Sequence, residues 1–579
     1  MSVVAPVPHS RPWRCTMHSH IDIRLQRKRE FLLLWGQPGL FASIIAILSI
    51  LIVFCFYPII RLLITCMTDQ AGRFDLSSIL YVIQKTNIGS ALANSIKLGV
   101  VVAILSTVIG FLFAFAINRT TMRGKRFFHV VAMLPILSPP FVISLAMILL
   151  FGRSGIVTKQ LLGIKNHNVY GFTSLVIVQT LAMFPLAYLN IKGVMESMDS
   201  SVENAARSLG AGRLKVFLSI TLPLSIPAVL SAFLIVFAKS LSDFGNPQVL
   251  AGDYAVLSVS AYTQITGLYN IRTGSFMAVS ILVPGMLAFF IQKYWIAKKS
   301  FVTITGKPVG QVDYIEEKPI VYSLFALCIL LTFVIAMFYG TVIWVSLVKT
   351  WGVDMKPSLA NYQFVFRSGS GKKSLFDTLL LSLIATPITA ILGMAIAFLL
   401  VRKRFFGRKI MEMASMIPFA IPGIALGIGY VVSFNQRPLL LTGSAAIIVI
   451  TLVFRTLSVG VEAGANSLRQ VDTSIEEAST ILGANNFITF THISLPIMKS
   501  ALFSGLLNAF VRSMTSVSAV IFLVSVKWNL LTVSIMSAIE SNKLGLASAY
   551  CVLLMGIVLV AIVLLDFFMN KAFTRRRRH

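Results

Sequence analysis

Glu203-Asn204-Ala205-Ala206-Arg207-Ser208-Leu209-Gly210 is a polar stretch in an apolar chain, and it closes at Ile220-Thr221-Leu222-Pro223. A second copy, Glu476-Glu477-Ala478-Ser479-Thr480-Ile481-Leu482-Gly483, closes at Ile493-Ser494-Leu495-Pro496. In both copies the Ile falls ten residues after the Gly. Two copies at one internal spacing mark a repeated structural unit. Gly210 and Gly483 can take positive φ and end a short helix so that the chain turns. Leu222-Pro223 and Leu495-Pro496 are then expected to start the next helix, whose first turn tolerates Pro. Ala205, Ala206, Ala478 and Ser479 are small enough for another helix to approach closely.

Around these stretches the chain is greasy. It has 579 residues, 56% of them apolar and only 12% charged, with a mean hydropathy of +0.85. Soluble domains carry about twice that share of charge, so the solvent for this surface is a bilayer. The formal charge of +29 does not point to nucleic acid. Its Lys and Arg lie in short clusters between apolar runs, which is the positive-inside pattern.

Apolar runs of spanning length recur about twelve times. They fall near 41–63, 93–117, 128–151, 170–194, 224–245 and 275–296, then near 321–348, 377–401, 411–434, 442–463, 497–523 and 545–569. Arg119, Arg123, Lys125 and Arg126, then Arg402, Lys403, Arg404, Arg408 and Lys409, place their loops inside, together with both polar copies and both termini. Gly110, Gly124, Pro135 and Pro139 match Gly393, Gly407, Pro418 and Pro422 at one constant offset. Both polar copies lie on one membrane face, so each repeat holds an even number of spans and the repeats are parallel. The expected fold is all-α and polytopic: a basic cytoplasmic tail (1–40), a first six-span repeat (41–298), a cytoplasmic linker (299–319), a second repeat (320–570) and a basic end (571–579). The tail is expected to be uncleaved, and Arg575–Arg578 to anchor the end beside anionic lipid.

Several chemistries find no support. The five cysteines show neither a disulfide frame nor zinc-ligand spacing, and no metal site is expected. Gly369-Ser370-Gly371-Lys372-Lys373-Ser374 mimics the tail of a phosphate-binding loop, but Phe366 and Lys373 stand where that loop needs Gly and Ser or Thr. We read it as a flexible basic loop outside the cell. The dispersed histidines offer no hydrolase constellation, so the chain is not expected to be an enzyme.

The repeated stretch resembles the EAA motif of permease subunits in bacterial ABC importers: E-A-A, three residues, Gly, nine residues, I-x-L-P. Asn204 departs from the motif's Glu, with Glu203 adjacent, and Ser479 replaces its second Ala. The resemblance implies a fused permease of the type I, MetI-like fold in the inner membrane. It implies that Glu203, Asn204, Ala205, Ala206, Gly210, Leu222 and Pro223, and Glu476, Glu477, Ala478, Ser479, Gly483, Leu495 and Pro496, couple to two separate ATPase subunits. Those subunits bind the ATP and Mg, and a periplasmic binding protein delivers substrate. The weaker motif in copy one predicts that changes at Asn204 or Gly210 impair transport less than changes at Glu477 or Gly483. Ser242–Pro247 and Phe510–Leu523 resemble the ferric-iron-type group, which includes phosphonate and sugar-phosphate relatives.

Charges inside spans are costly and face a cavity or a partner. Lys239 and Arg512 occupy matched positions in the fifth span of each half, roughly 22 Å along the helix from its inner start. Asp243 and Asn246 follow the first, Ser516 and Ser518 the second, and Arg455 lies in the tenth span. These residues are the candidate substrate path. A structural Lys239–Asp243 pair at i, i+4 is the competing role. The matched cations argue against a bare ferric ion, and an iron–anion chelate, a phosphonate or a sugar phosphate fits them better; the expected substrate is an anionic phosphorylated compound or phosphonate, with ferric iron or its chelate as the alternative. An ion-coupled secondary transporter is the rival class, but it leaves the EAA spacing unexplained.

Overall fold

The structure, a computed structural model, describes residues 38–68, 73–75, 86–164, 167–296 and 314–574. The tail to residue 37, most of the linker and Arg575–Arg578 lie outside the described residues. The first half runs α1 (Pro38–Met67), α2 (Ile88–Arg119), α3 (Lys125–Leu137), α4 (Phe141–Phe151), α5 (Phe172–Ser197), α6 (Ser201–Ser208), α7 (Arg213–Leu241), α8 (Gly245–Leu250), α9 (Leu257–Thr266) and α10 (Ile271–Ile296). The second half runs α11 (Lys318–Ser346), a hairpin of β1 (Val348–Thr350) and β2 (Asp354–Pro357), α12 (Ala360–Arg367), α13 (Gly369–Arg402), α14 (Arg408–Ala420), α15 (Gly423–Phe434) and α16 (Ala445–Arg469). It ends with α17 (Ser474–Ile481), α18 (Asn486–Ile497), α19 (Lys499–Met514), α20 (Leu531–Glu540) and α21 (Leu544–Thr574). Among the described residues ten helices are long and apolar enough to cross a membrane, and two bent pairs raise the number to as many as twelve. Helices dominate because lipid offers no partner to backbone N–H and C=O groups.

The repeated landmarks each have a physical task. A Cβ on Gly110 would lie 2.7 Å from the Tyr188 amide, and one on Gly393 would lie 3.0 Å from the Gly460 carbonyl carbon. Each glycine therefore lets α2 cross α5, or α13 cross α16, at backbone contact. Pro135 and Pro418 sit inside α3 and α14, while Pro139 and Pro422 occupy the breaks that follow. Consequently the third span expected in each half is not one rod. It is two helices, and α14 and α15 meet at 112°.

The I-x-L-P segment differs from expectation as well. Leu222 and Pro223 do begin the regular α-helical stretch Leu222–Leu241, with Pro in its first turn, but the span itself starts earlier, at Arg213. A wide π-type turn at Phe217–Thr221 precedes Pro223 and absorbs its missing N–H. The second copy has the same wide turn at Phe490–Ser494, and α18 then bends by 78° into α19. The basic Gly369–Ser374 segment is not a loop either. It forms the first turns of α13, capped by Ser368, whose Oγ accepts from the Gly371 N–H.

Each half lends its first helix to the other. In α1, Phe54 accepts a hydrogen bond from Tyr430 of α15 (2.8 Å), and Pro58 packs on Gly429. In α11, Tyr339 shares a hydrogen bond with Ser138 at the α3–α4 break (2.6 Å). This reciprocal exchange is what two parallel repeats about one axis produce. The described end of the linker docks on the first half only: Ile315 pairs with the backbone of Arg119 and Thr121, and Glu317 forms an ion pair with Arg213.

Candidate functional site

Between the halves lies a cavity of about 640 Å³, lined from both repeats. Lys239 enters from the end of α7 and Arg512 from the end of α19, as their matched positions require. Both meet one ring. The Lys239 Nζ lies 4.5 Å from the centre of Phe419, and the Arg512 guanidinium lies 5.8 Å from it. Arg455 of α16 reaches the same cavity and donates to the Ser518 hydroxyl at 3.4 Å. Among the described residues none of these three cations forms an ion pair with a carboxylate. The expected alternative, Lys239 with Asp243, is therefore not made.

Asp243 is held differently. Its Oδ2 accepts from Gln179 (2.9 Å) and from Asn246 (2.7 Å). Ser144 donates to Asn246 and Ser240 donates to Gln179, at 2.6 and 2.5 Å, which closes a buried network around the carboxylate. In the second half Ser516 is buried with its hydroxyl unpartnered, and Ser518 faces Arg455. Glu462 and Lys293 line the end of the cavity nearer the polar repeats. At the opposite end the tilted rings of Phe244, Tyr262 and Phe522 pack in sequence, with centroids 5.1 and 5.7 Å apart, joining the two halves.

The cavity thus gathers four cationic side chains and two carboxylates. A trivalent cation about 6 Å from one fixed unit charge would be repelled by roughly 8 kcal/mol at an effective dielectric near 20, and a monoanion attracted by about a third of that. Among the described residues no group of three or more His, Cys, Asp or Glu side chains could hold a metal ion.

The polar repeats form the second part of the site. Residues 201–208 and 474–481 are short helices, and each ends on a glycine in the left-handed region, Gly210 at φ +85° and Gly483 at +87°. Glu203 and Glu476 point inward, while Glu477 is exposed. Glu203 takes the Arg119 guanidinium at 3.0 Å and the Thr221 hydroxyl at 2.7 Å. Glu476 takes Arg402 at 3.1 Å and the Ser494 hydroxyl at 3.0 Å. Each short helix is therefore tied to the end of the second span and to the I-x-L-P helix. Arg402 also donates to the carbonyls of Leu468 and Val471, whereas among the described residues Arg119 has no such bonds and leaves Nε and Nη2 unpartnered. Ser479 is turned inward onto Thr489 at 3.0 Å, so it is not a small surface offered to a partner. Leu209, Ile481, Leu482 and Phe487 stand out instead, all more than 70% exposed.

Sequence reading missed Phe419, Gln179, Glu462, Lys293 and the two arginine tethers. Arg119 and Arg402 obey the same constant offset as the Gly and Pro landmarks, so the signal was present and was read as topology alone. Phe419 has Ile136 at its matched place, so the repeat does not single it out.

Two segments, 81–302 and 388–579, each match the family of binding-protein-dependent transport system inner membrane components. The chain belongs to this family. The permease is 34% identical to the ferric transport system permease protein FbpB of Actinobacillus pleuropneumoniae, over 92% of this chain and 78% of that one. It is 35% identical to a putative ferric transport system permease protein of Haemophilus influenzae, over 85% and 79%. A molybdenum transport system permease, ModB of Escherichia coli, is 29% identical and matches 36% of this chain. It is thus a multi-pass inner-membrane permease of an ABC importer, in which separate subunits hydrolyse ATP and a binding protein delivers the substrate. The phosphonate or sugar-phosphate substrate expected from electrostatics finds no support among these relatives.

Proposed function

We propose that the permease carries ferric iron, delivered by a periplasmic binding protein and driven by two copies of an ABC ATPase that bind the ATP and Mg. The observation that carries this reading is the pair of ferric-named relatives aligned across both halves. In this reading α6 and α17 seat in the ATPase subunits through their exposed apolar side chains, on the cytoplasmic side with both termini. Closure of the ATPases on ATP draws the two short helices together. The Glu203 and Glu476 tethers pass that displacement to α2 and α7, and to α13 and α18. The halves then rock about the cavity, and the Phe244–Tyr262–Phe522 cluster opens. Docking drives this change only if it is tighter in one state than in the other. Lys239, Asp243, Asn246, Arg455, Arg512, Ser516 and Ser518 border the path.

A second reading has one observation in its favour: three cations without ion pairs suit an oxyanion such as molybdate. Reconstitution of the permease with its ATPase and binding protein separates the two. ATP-dependent accumulation of radioactive iron is expected, and accumulation of labelled molybdate or sulfate without iron would overturn the ferric reading.

A further inference from the structure

We infer that this cavity accepts iron only as a net-anionic complex, so that an oxyanion or carboxylate ligand of the ferric ion crosses with it. The inference rests on the ferric reading above and says in what chemical form that cargo passes. Three observations carry it. Lys239, Arg455 and Arg512 converge on one cavity with no ion pair among the described residues. Phe419 packs under two of them at 4.5 and 5.8 Å, which holds both cations at one level of the path. Asp243, the carboxylate closest in sequence to this cluster, already accepts from two amides, and the described residues offer no cluster able to ligate a bare metal ion.

A bare ferric ion at this level would meet fixed positive charge, and among the described residues the cavity offers only the carboxylates of Asp243 and Glu462, with no cluster of three or more ligating side chains to replace its water. A ferric ion that keeps phosphate or a polycarboxylate presents oxygen acceptors outward, and these match the Arg fork and the Lys ammonium. The cations then read the ligand, and the metal stays in the ligand's shell. No bond to iron needs to form or break inside the cavity.

The test uses proteoliposomes holding the permease with its ATPase, and binding protein loaded with 55Fe in the presence of either [32P]phosphate or [14C]citrate outside. ATP-driven entry of 55Fe with one of the two labels is the expected result, in a fixed ratio that leaves the complex anionic: about two or more phosphates, or one or more citrates, per iron. Arg512→Gln is expected to lower 55Fe entry about tenfold or more, and Arg512→Lys to restore most of it. The Lys239→Gln variant should lower iron and label together without changing their ratio. Entry of 55Fe with neither label overturns the inference and leaves the ferric reading standing. No 55Fe entry through the wild-type protein, with labelled molybdate entering, sinks both.

Discussion

The two halves are near copies around the short polar helices and unlike where they line the cavity. At those helices an Arg from the second span, a Glu from the short helix and a hydroxyl from the I-x-L-P helix recur in the same order: Arg119, Glu203 and Thr221, then Arg402, Glu476 and Ser494. Among the charged residues lining the cavity only the Lys239–Arg512 pair is kept. Half one builds an amide cage around Asp243; half two has Ser516 and Ala519 at the matched places and adds Arg455 where half one has Ala182. Symmetry is retained where each repeat ties its own short helix to its own spans. It is lost between the halves, where both line one cavity and need not line it alike.

The largest test removes a tether. Glu203→Ala and Glu476→Ala each strip a partner from a nearly buried Arg, a change that typically costs about 3–5 kcal/mol. Both should lose transport by about tenfold or more at matched membrane levels. Glu203→Ala should be the worse in thermal unfolding, because Arg402 keeps the Leu468 and Val471 carbonyls and Arg119 keeps nothing comparable. Equal melting losses would show that the extra carbonyl bonds contribute nothing.

Next comes the cavity contrast. Asp243→Ala leaves the amides of Gln179 and Asn246 without their acceptor, so about 1–3 kcal/mol of stability should go. Ser516→Ala removes a hydroxyl with no partner and should change the melting temperature little. A larger loss at Ser516 would break the claimed asymmetry. The glycines sharpen it from the other side. Gly210→Val and Gly483→Val force a branched residue into the left-handed region and should each cost about 1–2 kcal/mol. Their effects on binding-protein-stimulated ATP hydrolysis should be equal, since the two φ angles are nearly identical. The smallest effect separates Asn204 from Glu477. Glu477 is exposed and Asn204 is half-buried, so Glu477→Ala should lower stimulated hydrolysis a few-fold and Asn204→Ala less than twofold. Equal losses would remove the last trace of unequal coupling.

Legibility followed periodicity and repetition. The spans, the parallel repeat and the short helices with their glycine ends were readable because hydropathy and fixed spacing report directly on lipid exposure and turn geometry. The broken third spans were not. Pro135 and Pro418 were seen, but whether a proline kinks or splits a helix depends on what packs into the break; here Tyr339 from the other half bonds Ser138 in one of them. The inward turn of Ser479 was hidden for a similar reason, since its partner Thr489 lies across a turn.

The chain's sequence by itself determined that it lies in a membrane, that it is two parallel copies, and that each copy presents one short polar helix. These follow from local chemistry: apolar length, charge placement and glycine freedom. Only the tertiary structure decided that Lys239 and Arg512 share one aromatic ring, that Asp243 turns to amides instead of to Lys239, and that Glu203 and Glu476 each hold an arginine 70 or more residues away. Such pairings depend on how distant helices cross, and no local pattern records a crossing.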